Sequence, residues 1–240
     1  MIMKLWSAGS ITSFPPALIV RTVRASRRQL QLTPMKHVLS ELRKRGVAIN
    51  DLVALEVFGC SGESHVKDYA SSVSSLEVWE IDPQFETHLK KHFPKATIKI
   101  TDSYQEVKRR DQRYDLIVID NGTSMRTGGY CEHFDLFPDI FRLAKDPCVL
   151  IVNVIPKIDD EVAKIYPYLF NQQQLARRRL FYKTARPQEV PFDQIVRTYQ
   201  ECAKAENFKL DWHFLQQRNF VYYLVLHISK MSVGLSNPRL

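Results

Sequence analysis

The sequence predicts an α/β fold: a doubly wound sheet of seven strands, mostly parallel and closed by a C-terminal antiparallel hairpin. Three observations predict it. Apolar runs of strand length alternate with amphipathic segments of helix length between residues 53 and 155, the pattern of parallel βαβ crossovers. The first run, VALEVF, enters a tight turn, GCSG, and the next, LEVWEID, ends in acid. The chain then finishes in FKLDWHFLQQRNFVYYLVLHIS, two strand-like runs joined by the polar turn QQRN.

Each element follows in order. Residues 1–33 read as an irregular basic arm carrying Arg21, Arg24, Arg27 and Arg28; a folded domain spans 34–230, and 231–240 is a tail. Pro34 opens a helix with an apolar face of Val38, Leu39 and Leu42, and Gly46 stops it. Val53–Phe58 is the first strand, Glu63 to Ser71 a helix, and Leu76–Ile81 the second strand. Pro83 opens the helix PQFETHLKKHF, which ends before Pro94. Ala96–Ile100 is alternating and β-branched, hence a third strand, and DSYQEVKRR is a short helix. Tyr114–Asp120 is nearly all apolar and suits the centre of a parallel sheet. The loop NGTSMRTGGY leads into a helix around HFDLFPDIFRLA, and Cys148–Ile155 is the fifth strand. Asp159 to Arg179 and Phe192–Asn207 read as helices before the hairpin.

Composition narrows the class. The 240 residues are 45% hydrophobic and 25% charged, enough for one substantial core in one domain. No apolar run approaches the roughly 18 residues of a membrane span. The first twenty residues hold Ser, Thr and the Pro15–Pro16 pair, which break the hydrophobic stretch a secretory signal needs, so a cytoplasmic location is expected. Cys60, Cys131, Cys148 and Cys202 are widely separated and read as reduced. His88 and His92 have i, i+4 spacing, but no third ligand is evident near them in sequence; they read as a solvated helix face, and no metal is expected. The net charge of +8 concentrates in the N-terminal arginines and in Arg177, Arg178 and Arg179. Such clusters can neutralise phosphates, but no nucleic-acid module accompanies them, so nucleic acid is the less favoured partner.

The turn after the first strand carries the chemistry. Glycines there let the backbone approach a ligand, and an acid ending the second strand, Glu80, can accept both hydroxyls of a ribose. A nucleoside cofactor is the first hypothesis. The parallel run is closed by a hairpin, whereas a nicotinamide-binding domain continues with a sixth parallel strand.

The order LEVFGCSGE, VWEIDP, TDSYQEV, YDLIVIDNG and closing hairpin resembles the class I methyltransferases that use S-adenosylmethionine, a Rossmann-like family, over residues 34–230. The resemblance implies that S-adenosylmethionine contacts Glu56, Phe58, Gly59, Cys60, Ser61 and Gly62 in the first turn. It further implies Glu80 and Ile81 after the second strand, Asp102 and Ser103 after the third, and Asp120 at the end of the fourth. The family's first turn has three glycines; an ungapped alignment puts Phe58 and Cys60 at two of them and keeps Gly62. It implies a reaction site near Asp120, Tyr130 and His133, with His133 available to take a proton from a hydroxyl acceptor. The motifs do not name the acceptor; aromatic and basic residues of the later insert, among them Tyr166, Phe181 and Arg186, admit a small or anionic one.

VWEIDP with YDLIVID also resembles the spermidine synthases, which bind a decarboxylated form of the same cofactor. Their second acid after strand four is absent from DNGTSMRTGG, where Arg126 suits an anion instead. A third alternative is a fold that has lost its cofactor and serves as an interaction module for a polyanion.

Overall fold

The computed structural model describes residues 32–121 and 133–232. The basic arm, Tyr130 and Arg126 lie outside the described residues. Helix α1 (Pro34–Lys44) begins at Thr33, whose hydroxyl accepts from the Lys36 N–H, and Met35, Val38, Leu39 and Leu42 are its buried face. Five parallel units follow: β1 (Val53–Glu56), α2 (Val66–Tyr69), β2 (Ser75–Glu80), α3 (Glu86–His92), β3 (Thr97–Ile100), α4 (Ser103–Arg109), β4 (Tyr114–Ile119) and β5 (Ala144–Val154). Helices α5 (Asp160–Ile165), α6 (Gln172–Tyr182) and α7 (Phe192–Ala205) precede the hairpin of β6 (Phe208–Gln217) and β7 (Tyr222–Lys230).

The seven-stranded sheet runs β3-β2-β1-β4-β5-β7-β6. β1 to β5 are parallel, and β7 enters antiparallel between β5 and β6. Successive side chains leave opposite faces of a strand, so β4 feeds two cores at once. Ile117 and Ile119 join Leu55, Leu150, Val152, Leu224 and Tyr199 on one face. Leu116 and Val118 join Ala54, Val78, Val149, Val225 and the inner faces of α1 and α3 on the other.

Three local expectations are corrected. The helix expected over Glu63–Ser71 shrinks to Val66–Tyr69, because Gly62 holds φ +72 and the flanking serines favour turns over helix. The segment HFDLFPDIFRLA forms two 3₁₀ turns, Phe134–Leu136 and Asp139–Leu143; Pro138 between them has no N–H to give to a continuous helix. The expected helix Asp159–Arg179 is split by Pro167 and Asn171 into α5, a 3₁₀ turn and α6.

The arginine run is not a uniform basic patch. Arg178 is fully buried, giving its Nε–H to Pro187 O (2.6 Å) and an N–H to Ile155 O (2.7 Å). Arg177 pairs with Asp135 at 2.5 Å, and Arg179 is exposed.

Candidate functional site

Parallel strands end on one edge of their sheet, and the turns leaving β1, β2 and β3 meet there beside Asp120 at the end of β4. The Gly59 N–H donates to Trp79 O (2.8 Å), laying the first turn directly on β2. A Cβ at Gly59 would stand 2.4 Å from Val78 Cγ1, so only glycine permits that approach. Gly62 has positive φ, and a Cβ there would meet the Phe93 ring at 2.3 Å. Cys60 also takes positive φ, 48°, without being glycine. Its N–H donates to Glu80 Oε2 (2.5 Å), while Glu80 Oε1 accepts the Asp82 N–H (2.7 Å). Glu80 therefore ties the first turn to the tip of β2.

The other expected cofactor residues gather around this tie. Ile81, next to Glu80, is 60% exposed. Asp102 caps α4 by accepting the Tyr104 N–H (2.9 Å), and the Ser103 hydroxyl donates to Val57 O (2.6 Å) beneath the turn. Phe58 is half-buried with its ring 5.9 Å from Tyr104, and Ser61 Oγ faces the Glu63 N–H.

A second cluster sits between the ends of β1 and β4. Glu56 is fully buried and accepts from Tyr69 OH (2.6 Å) and His65 Nε2 (2.8 Å). The opposite ring nitrogen of His65 lies 2.8 Å from Asp120 Oδ2. Asp120 Oδ2 also accepts from Arg218 (2.8 Å) and from Tyr223 OH (2.8 Å). The result is a row of alternating charge, Glu56, His65, Asp120, Arg218, whose formal sum is zero.

Environment fixes the protonation states. Burial alone would lower the His65 pKa, but the two flanking carboxylates push it up to about 10, so it is an imidazolium at neutral pH. Burial opposes ionisation of Asp120 too; His65, Arg218 and Tyr223 overcome it and hold the carboxyl well below its ordinary range. Burial raises Glu56 despite His65 and Tyr69.

Beside this row opens a cleft of about 240 Å³, bounded by Phe58, His65, Asp120, Asn153, Tyr166 and Arg218. Asn153 at the end of β5 takes the Asn121 N–H (3.2 Å) and returns a bond to Asn121 O (2.6 Å), fixing the exit of β4. Glu56, Phe58, Cys60 and Asp120 thus share one neighbourhood, as expected. His133 stands behind them, near enough to Asn153 and Asp120 to interact with both but not lining the cleft. Its ring is wholly buried, Nε2 lies 2.6 Å from Tyr199 OH, and burial drops its pKa to about 3.

Sequence reasoning did not find His65, Arg218 or Tyr223. His65 is an ordinary residue of a serine-rich stretch until its two carboxylates are in place, and Arg218 and Tyr223 arrive from the hairpin 98 and 103 residues after Asp120. A further grouping was also missed: Glu63 comes to the pair His88 and His92, the ligand-type atoms of all three lying within 4.8 Å of one another.

No family model matches this sequence, and no curated protein matches it. Solved structures do. Magnesium protoporphyrin IX methyltransferase from Synechocystis PCC 6803, solved with bound SAH, is 12% identical; the match covers 94% of this chain and 90% of that one, with a TM-score of 0.52. The chain has the class I methyltransferase fold. N-methyltransferase NodS from Bradyrhizobium japonicum WM9, in complex with S-adenosyl-L-homocysteine, is 11% identical over 84% of this chain and 90% of that one, with a TM-score of 0.49. At 12% identity the likeness to the Synechocystis enzyme is one of fold. Among the described residues no helix is long and apolar enough to cross a membrane.

Proposed function

We propose that this chain binds S-adenosylmethionine across the ends of β1, β2 and β3 and transfers its methyl group to a small anionic acceptor in the adjoining cleft. The observation that carries the reading is Glu80. Its carboxylate stands at the tip of β2, directly beside the glycine turn, with the open apolar surface of Ile81 next to it. A carboxylate accepts hydrogen bonds at both of its oxygens, the chemistry that a pair of ribose hydroxyls requires. Ile81 offers a flat apolar contact for a purine ring, and Asp102 lies at the neighbouring strand end. The charge-balanced row beyond suits the zwitterionic amino-acid end of the cofactor, with Asp120 facing its ammonium and Arg218 its carboxylate.

When bound, the cofactor's sulfonium supplies an activated methyl group. The chain's residues have to align the acceptor and keep water out. Phe58, Tyr166 and Phe220 wall the cleft with aromatic surface, and the Asn121–Asn153 pair fixes its floor. Three titratable groups around the cleft, His65, Asp120 and Tyr223, are unsuited to removing a proton near neutral pH. His65 is already protonated, the Asp120 carboxyl is held well below its ordinary range and so is a weak base, and burial raises Tyr223. We therefore assign no proton transfer to His133 or Asp120. The acceptor consistent with this is one that needs no base, such as a carboxylate.

Calorimetric titration with S-adenosylmethionine and S-adenosylhomocysteine tests the reading. We expect micromolar binding of both, weakened by about 1.5–3 kcal/mol in Glu80→Ala, the worth of hydrogen bonds to a charged group. Absence of heat with either ligand, from protein shown to be folded, overturns it. With methyl-labelled cofactor, product counts released by mild alkali identify a methyl ester and support the carboxylate acceptor.

A further inference from the structure

We infer that Glu63, His88 and His92 form a binding site for a divalent first-row transition metal ion, zinc in the first instance, that clips the turn after β1 to helix α3. The site stands apart from the row of buried charges and does not depend on the cofactor reading. His88 and His92 are one helical turn apart on α3, which places both rings on one face, stacked with centroids 4.0 Å apart. Glu63 reaches them because Gly62, the residue before it, packs against Leu89 and Phe93 of the same segment.

Three details fit ligation better than a solvated face. His92 Nδ1 lies 2.9 Å from His88 O, so that nitrogen carries the hydrogen and Nε2 presents its lone pair outward. A backbone partner of this kind fixes the tautomer and orientation of metal-binding histidines. The Nε2 atom of His88 is shielded from solvent and has no hydrogen-bond partner; the nearest carboxylate oxygen, Glu63 Oε1, is 3.4 Å away. A buried polar nitrogen without a partner is costly, and an ion would satisfy it. The three ligand atoms already lie within 4.8 Å of one another. A tetrahedral ion with bonds of about 2.0–2.2 Å asks for roughly 3.3–3.6 Å between ligands, and the exposed side chain of Glu63 can swing to close that distance.

Two imidazoles and one carboxylate form a mixed nitrogen and oxygen set of the kind zinc takes, with the fourth position left for water or a ligand. Glu63 and His92 also border a groove of about 700 Å³ between α2 and the start of β3, so the fourth position adjoins open space.

The test is titration of metal-free protein with Zn²⁺ by calorimetry and with Co²⁺ by visible absorption. The variants His88→Gln, His92→Gln and Glu63→Gln are taken through the same titrations. One ion per chain, with affinity falling at least thirtyfold in each histidine variant and about tenfold in Glu63→Gln, is the expected result. The Co²⁺ bands of a low-symmetry nitrogen and oxygen site should vanish in the same variants. Circular dichroism of the metal-free variants should match the parent, since these side chains lie at the surface. Absence of saturable binding, or binding that the three substitutions leave unchanged, overturns the inference.

Discussion

His65 is a cation enclosed by two carboxylates, and its removal leaves Glu56 and Asp120 facing one another across a buried gap. His65→Ala is expected to cost about 3–5 kcal/mol, the usual penalty for stripping one partner from a buried ion pair, read as a lower midpoint in urea at pH 7. The pH dependence has a definite sign. The folded-state pKa is raised from 6.5 to about 10, so the ring's contribution is complete below pH 6.5 and fades as pH rises through 10. Wild-type stability should therefore decline between pH 7 and 10, and His65→Gln should flatten that slope; parallel slopes would rule out this role. His133 behaves oppositely, its lowered pKa keeping the ring neutral in the fold, so its contribution is lost as pH falls below 6.5 toward 3. Cys60 shows why motif reading at single residues was incomplete. It occupies a left-handed position normally given to glycine, and the Glu80 contact to its N–H helps hold it there.

Among the elements, α6 is held from within by Arg178. Its guanidinium joins the end of β5, through Ile155 O, to the segment at Pro187, and it lies over the Tyr182 ring at 5.5 Å. Arg178→Ala should destabilise the chain by about 3 kcal/mol because two buried carbonyls lose charged donors, whereas Arg179→Ala at the exposed position should be within about 0.5 kcal/mol of neutral; urea unfolding of the two variants distinguishes them. The contrast explains what sequence could and could not convey. Every strand was legible, because the run at β4 and the alternation at β3 are properties of adjacent residues. The neighbouring arginines 177, 178 and 179 looked alike, because their difference is set by what packs over them. The irregular turns around Pro138 escaped for the converse reason: an amphipathic pattern was present, and one residue without an N–H overrode it. Glu80 and Asp120 were legible as acids ending strands, yet His65 and Arg218, the partners of Asp120, were not, since spacing along the chain carries no trace of those contacts.

On the scale of the whole molecule, β2, β1, β4, β5 and β7 lie inside the sheet while β3 and β6 form its edges. Interior strands with apolar residues on both faces open only when the whole domain unfolds. Hydrogen exchange should accordingly be slowest at Leu116–Ile119 and Leu150–Val152 and much faster in β3 and the short α2. Equal protection in β3 and β4 would contradict this ordering. The two faces of the sheet are covered by different helices, but the central strands serve both, so the domain should unfold as one unit.

The bonds from Arg218 and Tyr223 to Asp120 also have a meaning in time. A ribosome makes Glu56, His65 and Asp120 early and their last two partners about a hundred residues later. Throughout that interval the emerging chain carries Glu56, His65 and Asp120 without the guanidinium that completes their row, and β5 has no strand to pair with on its outer side. The nascent domain thus lacks both its charge balance and its sheet closure until the hairpin is delivered, and the same event supplies the two together. The site and the fold become complete in one late step of synthesis, and an intermediate stalled before it exposes the edge of a strongly apolar strand to other nascent chains.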